Sequence, residues 1–332
     1  MKQRFGKIKT VYSYYTNNHA VGAYPMQVGI ELTNNCNLRC KMCPHPRMAR
    51  QKGFITKGIF KKIIDEIKGK SEFVYLYGMG ESLIHPEFFE LADYVKNSGL
   101  KTSVSTNITL LTEEKSQKLL ESGIDFIVLA LDGVNKETYE KIRIGGKFEE
   151  NLKRIKYFLQ LKNKLKAKCH VDVQFILMND NKEEAESTSK LFSKAERSSI
   201  NSNRLKPVYV SPSINTENIV HKHPCFFLWS TMTITWDGRV SMCCMDYDVE
   251  VELGNVCESS VFEVWNNSKI ATLRNLHKRL EYRKMPMCNK CFIPEKNYFS
   301  TITILSSAFL KAGTMRRLLP IFEKTFLLNK FR

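Results

Sequence analysis

VGIELTNNCNLRCKMCPHP, residues 28–46, is the stretch from which the rest of the chain is read. VGIEL (28–32) is a short apolar run of strand type. Directly after it, Cys36, Cys40 and Cys43 stand at C-x₃-C-x₂-C spacing on one short loop. Three thiolates so placed wrap one corner of a cubane iron–sulfur cluster and hold three of its four irons. The fourth iron is then open to a small chelating molecule. Tetrahedral zinc, with His45 as a fourth donor, is the competing reading.

Downstream, the strand opens a repeat. KGIFKKIIDEI (57–67) places Ile59, Phe60, Ile63, Ile64 and Ile67 at helical spacing, and FVYLY (73–77) reads as a strand. PEFFELADYVKNSG (86–99) is a helix with Pro86 at its start and Gly99 past its end. A strand over 101–106, a helix over 112–122 and a strand over 126–131 repeat the unit. A helix over 148–163, the strand 170–178, a helix over 182–197 and PVYV (207–210) as a sixth strand continue it. Strict alternation predicts parallel strands joined by right-handed crossovers. Six units predict an α/β fold, a partial (β/α)₆ TIM-like barrel with its site at the carboxyl ends of the strands.

The chain has 332 residues, with 51 Lys+Arg against 34 Asp+Glu, a net +17. Hydrophobic residues make up 43% and charged residues 26%, which excludes a disordered or low-complexity chain. The first twenty residues contain no apolar run of signal-peptide length, and no stretch reaches the roughly 18 apolar residues of a membrane span. A cytoplasmic location is expected. There, ten cysteines point to metal rather than to disulfides. The charge excess gathers at the ends. Lys2, Arg4, Lys7 and Lys9 stand without an acid; Lys311, Arg316, Arg317, Lys324, Lys330 and Arg332 face only Glu323.

From the cysteine loop onward the chain resembles the radical S-adenosylmethionine (radical SAM) superfamily, whose signature is C-x₃-C-x₂-C after the first barrel strand. Tyr77-Gly78-Met79-Gly80-Glu81 resembles the glycine-glycine-glutamate motif that holds the amino group of SAM. Glycines allow close backbone approach and a carboxylate suits an ammonium. Ser105 and Asn107, at the end of the third strand, match positions that contact ribose. Leu131-Asp132-Gly133 resembles the serine-x-aspartate-glycine motif, with Ala130 in place of the serine. Arg143 is a candidate partner of the SAM carboxylate or of a structural ion pair, and Gln174 a candidate nucleoside contact or a structural amide. The resemblance implies reductive cleavage of SAM to a 5′-deoxyadenosyl radical, which abstracts hydrogen from a C–H bond. It also implies a flavodoxin- or ferredoxin-type reductant.

A second set, Cys225, Cys243, Cys288 and Cys291, reads C-x₁₇-C-x₄₄-C-x₂-C. Four thiolates can ligate a second 4Fe–4S cluster fully or hold structural zinc. CFFLWSTMTITWDGRVSMCC, followed by LGNVCESSVFEVWNN, resembles the SPASM auxiliary-cluster domain in its shortened twitch form. Within it, TMTITWDGRVSM forms a hairpin turning at Asp237-Gly238, and a helix lies near 260–280. The G-x-V-x-x-C pattern ends on Cys243, which is preferred over Cys244. Cys169 and Cys257 are then buried small hydrophobes. The expected domains are a basic extension (1–24), the radical SAM partial barrel (25–211), a small cysteine-rich α+β SPASM/twitch domain (212–298) and a basic tail (299–332).

An auxiliary cluster with no open iron suits electron transfer. The spacing resembles that of radical SAM dehydrogenases that oxidise an aminocyclitol alcohol. The expected substrate is therefore a sugar, glycan, aminocyclitol or related small molecule. A peptide or protein maturase is the enzyme alternative. It is disfavoured by the roughly 27 residues before the first strand, too few for a winged-helix peptide-binding domain. A non-catalytic iron–sulfur carrier or binding protein is the alternative of another class. Asp132, His85 and Asp246 are candidate acid/base residues. The tail, with Phe, Leu and Ile among Lys and Arg, is amphipathic. It either lies in an anionic membrane interface, making the enzyme membrane-peripheral, or packs on the barrel. Aromatic-basic interleaving of the RNA-binding kind is absent, so no nucleic-acid partner is expected.

Overall fold

The structure, a computed structural model, describes residues 2–16, 18–201, 209–210, 223–289 and 291. The tail expected to touch a membrane and the boundary expected at 211/212 lie outside the described residues. Among those described, no helix is long and apolar enough to cross a membrane.

The chain begins with α1 (Lys2–Tyr15), β1 (Gln27–Ile30), α2 (Lys57–Ile67), β2 (Phe73–Tyr75), α3 (Phe88–Asn97) and β3 (Lys101–Thr106). It continues with α4 (Glu113–Glu121), β4 (Phe126–Ala130), α5 (Lys136–Ile142), α6 (Phe148–Leu165) and β5 (His170–Gln174). In α2, Phe60, Ile63, Ile64 and Ile67 recur on one face and are buried, and Thr56 caps the helix by accepting the Ile59 N–H. Burying each such side chain stabilises the fold by about 1.5–3 kcal/mol. These residues meet Val28, Ile30, Val74, Val104, Ile127 and Val171, one face of a parallel sheet.

Strands β1 to β5 pair in parallel in the order 1-2-3-4-5. Their alternation sets two faces. Gly29, Tyr75, Ser103, Phe126 and His170 lie in one register row on the side away from the helices. With Ser105, Asp172 and Gln174 they form the concave face of a partial barrel.

Two sequence expectations are corrected beyond β5. The strand expected over 170–178 breaks after Gln174, because the Ile176 N–H donates to the Asp132 carboxylate (2.5 Å) rather than to a neighbouring strand. The remainder, β6 (Ile176–Leu177), pairs with the expected sixth strand, as two-residue pieces. The helix expected over 182–197 is a 3₁₀ segment (Ala185–Leu191) followed by α7 (Lys194–Ser199). Ser193 and Glu196 form a capping box that starts a new helix there. The sixth strand itself is β7 (Tyr209–Val210).

The cysteine-rich part holds α8 (Phe227–Ser230), β8 (Thr231–Ile234), β9 (Arg239–Ser241), β10 (Glu252–Asn255), α9 (Val261–Trp265), α10 (Ser268–Lys278) and α11 (Pro286–Asn289). The expected hairpin is β8–β9, with Gly238 at φ +85° in its turn. It is not a separate sheet. β8 pairs in parallel with β1, Val28 opposite Met232 and Ile30 opposite Ile234. The main sheet therefore runs β10-β9-β8-β1-β2-β3-β4-β5. The basic extension is also ordered into α1. Tyr14 packs edge-on against Phe226 (5.0 Å) and Trp229 (5.3 Å) and donates its hydroxyl to the Pro224 carbonyl (2.8 Å).

Candidate functional site

The loop carrying Cys36, Cys40 and Cys43 leaves the carboxyl end of β1 and is held by backbone bonds. The Arg39 N–H donates to Ile144 O (2.9 Å), Lys41 N–H to Ile142 O (2.8 Å) and Cys43 N–H to Cys40 O (3.0 Å). Two side-chain donors approach the sulfurs: Asn107 Nδ2 lies 3.8 Å from Cys36 Sγ, and Arg143 Nη1 lies 3.7 Å from Cys40 Sγ. Burial pushes the Cys36 and Cys43 thiols up, and the other sulfurs of the loop add to this. Thiols raised this way need a cation to ionise, and N–H groups aimed at sulfur are what a thiolate cluster uses. The donor set fits an iron–sulfur cluster. His45 Nε2 is engaged with Asn34 O (2.8 Å) and does not turn that nitrogen to the sulfurs.

The glycine-rich turn after β2 sits directly on this loop. A Cβ at Gly80 would stand 2.3 Å from Thr33 O and 2.6 Å from Asn35 O, both backbone atoms. The Glu81 N–H donates to Asn35 O (2.8 Å). A Cβ at Gly78 would meet the Glu31 side chain at 2.7 Å. The Glu81 side chain does not face outward. Its carboxylate is buried and accepts the Asn107 N–H (2.7 Å) and the Leu83 N–H (3.2 Å), tying this turn to the end of β3. Burial pushes its carboxyl above the ordinary range against these donors. Asn107 gives its amide to Asn37 Oδ1 (2.9 Å) as well, so its side chain serves the cysteine loop.

The three acid/base candidates each have defined partners. Asp132 is fully buried at φ +62°, a left-handed conformation that Asp tolerates better than most residues. Its carboxylate accepts from Arg143 Nε (2.7 Å), from Arg143 Nη2 and from the Ile176 N–H, and so holds Arg143 in place. Burial alone would lower the Arg143 pKa, but Asp132 and Cys40 outweigh it and raise it. His85 is buried, with Nε2 at Ile55 O (3.0 Å) and Nδ1 accepting the Glu87 N–H (3.1 Å). Asp246 is buried and accepts the Glu250 (2.8 Å) and Val251 (3.1 Å) N–H groups, a turn holder rather than a solvated acid. Ser105 and Gln174 stand half-buried on the concave face.

That face also carries residues that the motifs did not single out. Tyr75 donates its hydroxyl to Gln27 Oε1 (2.9 Å), and His170 Nε2 contacts Asp172 Oδ1 (2.9 Å) on the same strand. Strand alternation from Gln174 back to His170 is the signal that could have found the pair.

The second cysteine set converges. Cys225, Cys243, Cys288 and Cys291 line one pocket with Cys244, Met242, Met245 and His277. Burial pushes the Cys288 thiol up to about 12, with Cys225 and Cys291 adding to it. Burial beside Cys244, Cys288 and Cys225 also raises the Cys243 thiol. Four cysteine sulfurs lining one pocket, two of them with thiols raised by burial and by their neighbours, fit an iron–sulfur cluster. Cys169 is buried as expected, but Cys257 is exposed, because it sits at the turn after β10 against the hairpin tip.

A buried strut joins the regions. Arg50 donates Nη1 and Nη2 to Glu31 Oε1 and Oε2 (2.9 Å each) and Nε to Tyr247 O (2.5 Å). Glu31 also accepts the Met79 N–H (3.1 Å), and Asp248 accepts the Ala49 N–H (2.8 Å).

Comparison with known proteins agrees with this arrangement. Residues 30–192 match the Radical SAM superfamily, and residues 225–292 match SPASM, an iron–sulfur cluster-binding domain. The chain is 26% identical over 311 residues to a tungsten-containing aldehyde ferredoxin oxidoreductase cofactor-modifying protein of Pyrococcus furiosus, covering 79% of this chain and 86% of that one. Further curated relatives align over about a third of their own length, 37% and 32% for two of them. Among solved structures, BtrN in complex with AdoMet and 2-DOIA superposes with a TM-score of 0.55 at 17% identity, covering 80% of this chain and 92% of that one. Streptococcus suis SuiB bound to precursor peptide SuiA gives 0.54 at 16% identity, covering 76% and 67%. At these identities the structural likeness is one of fold.

Proposed function

We propose that this chain, which belongs to the radical SAM superfamily and carries a SPASM iron–sulfur domain, oxidises or otherwise modifies a C–H bond of a sugar, aminocyclitol or related small molecule. In this reading Cys36, Cys40 and Cys43 hold the SAM-binding cluster, and Cys225, Cys243, Cys288 and Cys291 hold the auxiliary one. When bound, a reduced 4Fe–4S cluster and SAM supply hydrogen-atom abstraction from an unactivated C–H bond. The protein's part is placement. Arg143 and Asn107 direct N–H groups at the Cys40 and Cys36 sulfurs, and Gly80 lets the turn after β2 lie against the loop.

The concave face carries the substrate reading. Tyr75, Ser103, Ser105, Asp172 and Gln174 present hydroxyl, carboxylate and amide groups in successive register rows, beside the rings of Phe73 and Phe126. Such a surface satisfies the many hydroxyls of a polyol while the rings cover its C–H faces. The same fold holds 2-DOIA in BtrN and a precursor peptide in SuiB, so the choice of a small substrate rests on the concave face and not on the fold.

Anaerobically reconstituted protein, reduced with dithionite and given SAM, is expected to form 5′-deoxyadenosine above background. A panel of C-deuterated aminocyclitols and sugars is then expected to include a compound that transfers deuterium into it. Transfer from peptides alone would replace this reading with peptide maturation. Absence of 5′-deoxyadenosine would leave an electron carrier. Residues 299–332 are assigned no part in this reading, and equal flotation of full-length and truncated chains on anionic liposomes would remove the membrane-peripheral alternative.

A further inference from the structure

His277, in the last turn of α10, is almost fully buried and lines the pocket of the second cysteine set. Nothing in the cysteine spacing points to it. Its two ring nitrogens face two different cysteines. The Cys225 backbone N–H donates to Nδ1 (3.2 Å), and Nε2 lies 3.5 Å from Cys288 Sγ. A neutral imidazole carries one proton. Because Nδ1 is the acceptor, the proton sits on Nε2 and points at sulfur. The Tyr282 ring meets the imidazole edge-on at 4.8 Å and fixes its plane, and the Tyr282 hydroxyl is in turn anchored on the His223 carbonyl.

We propose that His277 is a positioning residue of the auxiliary cluster: it orients Cys225 through the backbone and donates an Nε2–H hydrogen bond to the Cys288 sulfur, raising the cluster's reduction potential. This rests on the ligand set assigned above. A hydrogen bond to a cysteine sulfur stabilises the reduced cluster, which carries one more negative charge, more than the oxidised one. An auxiliary cluster that accepts an electron from a substrate needs its potential held up, and this bond acts in that direction.

The test uses the full chain in a Cys36→Ala/Cys40→Ala/Cys43→Ala background, so that only the auxiliary cluster reports. This parent should hold about four irons. His277→Phe keeps the ring shape and removes the donor; His277→Gln keeps a side-chain N–H donor. The expected result is unchanged iron content in both variants. The midpoint potential should fall in His277→Phe and lie closer to the parent in His277→Gln. Pulsed EPR of the reduced parent should show only weak histidine ¹⁴N coupling. An unchanged potential in His277→Phe, or a strong ¹⁴N coupling marking direct ligation, overturns the proposal. If His277→Phe loses iron, His277→Gln decides: four irons at a near-parent potential support the hydrogen bond, and loss of iron there too overturns it. A parent without iron overturns the cysteine assignment itself, which the iron assay separates from the other failures.

Discussion

Replacing Arg50 by Met tests whether the barrel and the cysteine-rich part are joined by a desolvated charge pair. The Arg50 and Glu31 side chains are each 3% exposed and meet through two 2.9 Å bonds. Met conserves much of the volume, so the charge is the main loss. Glu31 then keeps only the Met79 N–H, and the Tyr247 carbonyl loses its donor. Stranding one member of a buried pair costs about 3–5 kcal/mol. At roughly 2 °C per kcal/mol for a chain of this size, the melting temperature should drop by about 6–10 °C. Thermal unfolding of parent and variant in the same metal-loading state measures it. In Glu31→Met/Arg50→Met no charge is left unpaired, and at least half of the loss should return. A single-variant loss below about 1 kcal/mol, or a double variant as unstable as the sum of the singles, would refute the reasoning.

Gly80→Ala should displace the first cysteine loop, because the added methyl meets backbone oxygens at 2.3 and 2.6 Å. Iron should fall from about eight to about four per chain, and a full complement would argue against the contact. Asp132→Asn preserves the acceptor for the Ile176 N–H and the tolerance for positive φ but leaves buried Arg143 without its counter-charge. A loss of about 3 kcal/mol or more in urea unfolding is expected, with near-parent stability as the contrary result. For Glu81 the folded pKa lies above the ordinary 4.5, chiefly through burial. Between those values the native state keeps a proton that the unfolded state has released, so stability falls as pH rises through the window. Melts of iron-free protein across mildly acidic pH should show that slope, and Glu81→Gln should flatten it; identical slopes would contradict the assignment.

The barrel was legible because its signals are local. VGIEL, FVYLY and KTSVST each end where a motif begins, and the helix between the first two carries its apolar residues at 3.6-residue spacing. The first cysteine set stood out by its short spacing; the second, spread from 225 to 291, needed the sequence around it as well, because its spacing also allows zinc. The failures are non-local. Helix α1 has little amphipathic pattern, and its stability comes from Tyr14 meeting Phe226 and Trp229 more than 200 residues away. His277 looks like an ordinary basic residue at a helix C-terminus until the fold brings Cys225 and Cys288 to its two nitrogens. Asp132, His85 and Asp246 invited an acid/base reading because the residue type suits it. The structure engages each with backbone groups or an arginine, which no spacing rule reveals.

The pairing of β8 with β1 has a consequence for how this chain can be handled. β1 has a strand on both sides, and the Glu31 N–H donates to Ile234 O (2.9 Å) across the seam. A fragment ending before residue 223 would bare that edge over Gln27–Ile30, next to the loop that carries the first three cysteines. Unsatisfied strand edges recruit other chains. Such a truncation should precipitate or form adventitious oligomers, so each metal centre is better isolated by knocking out thiols than by cutting the polypeptide.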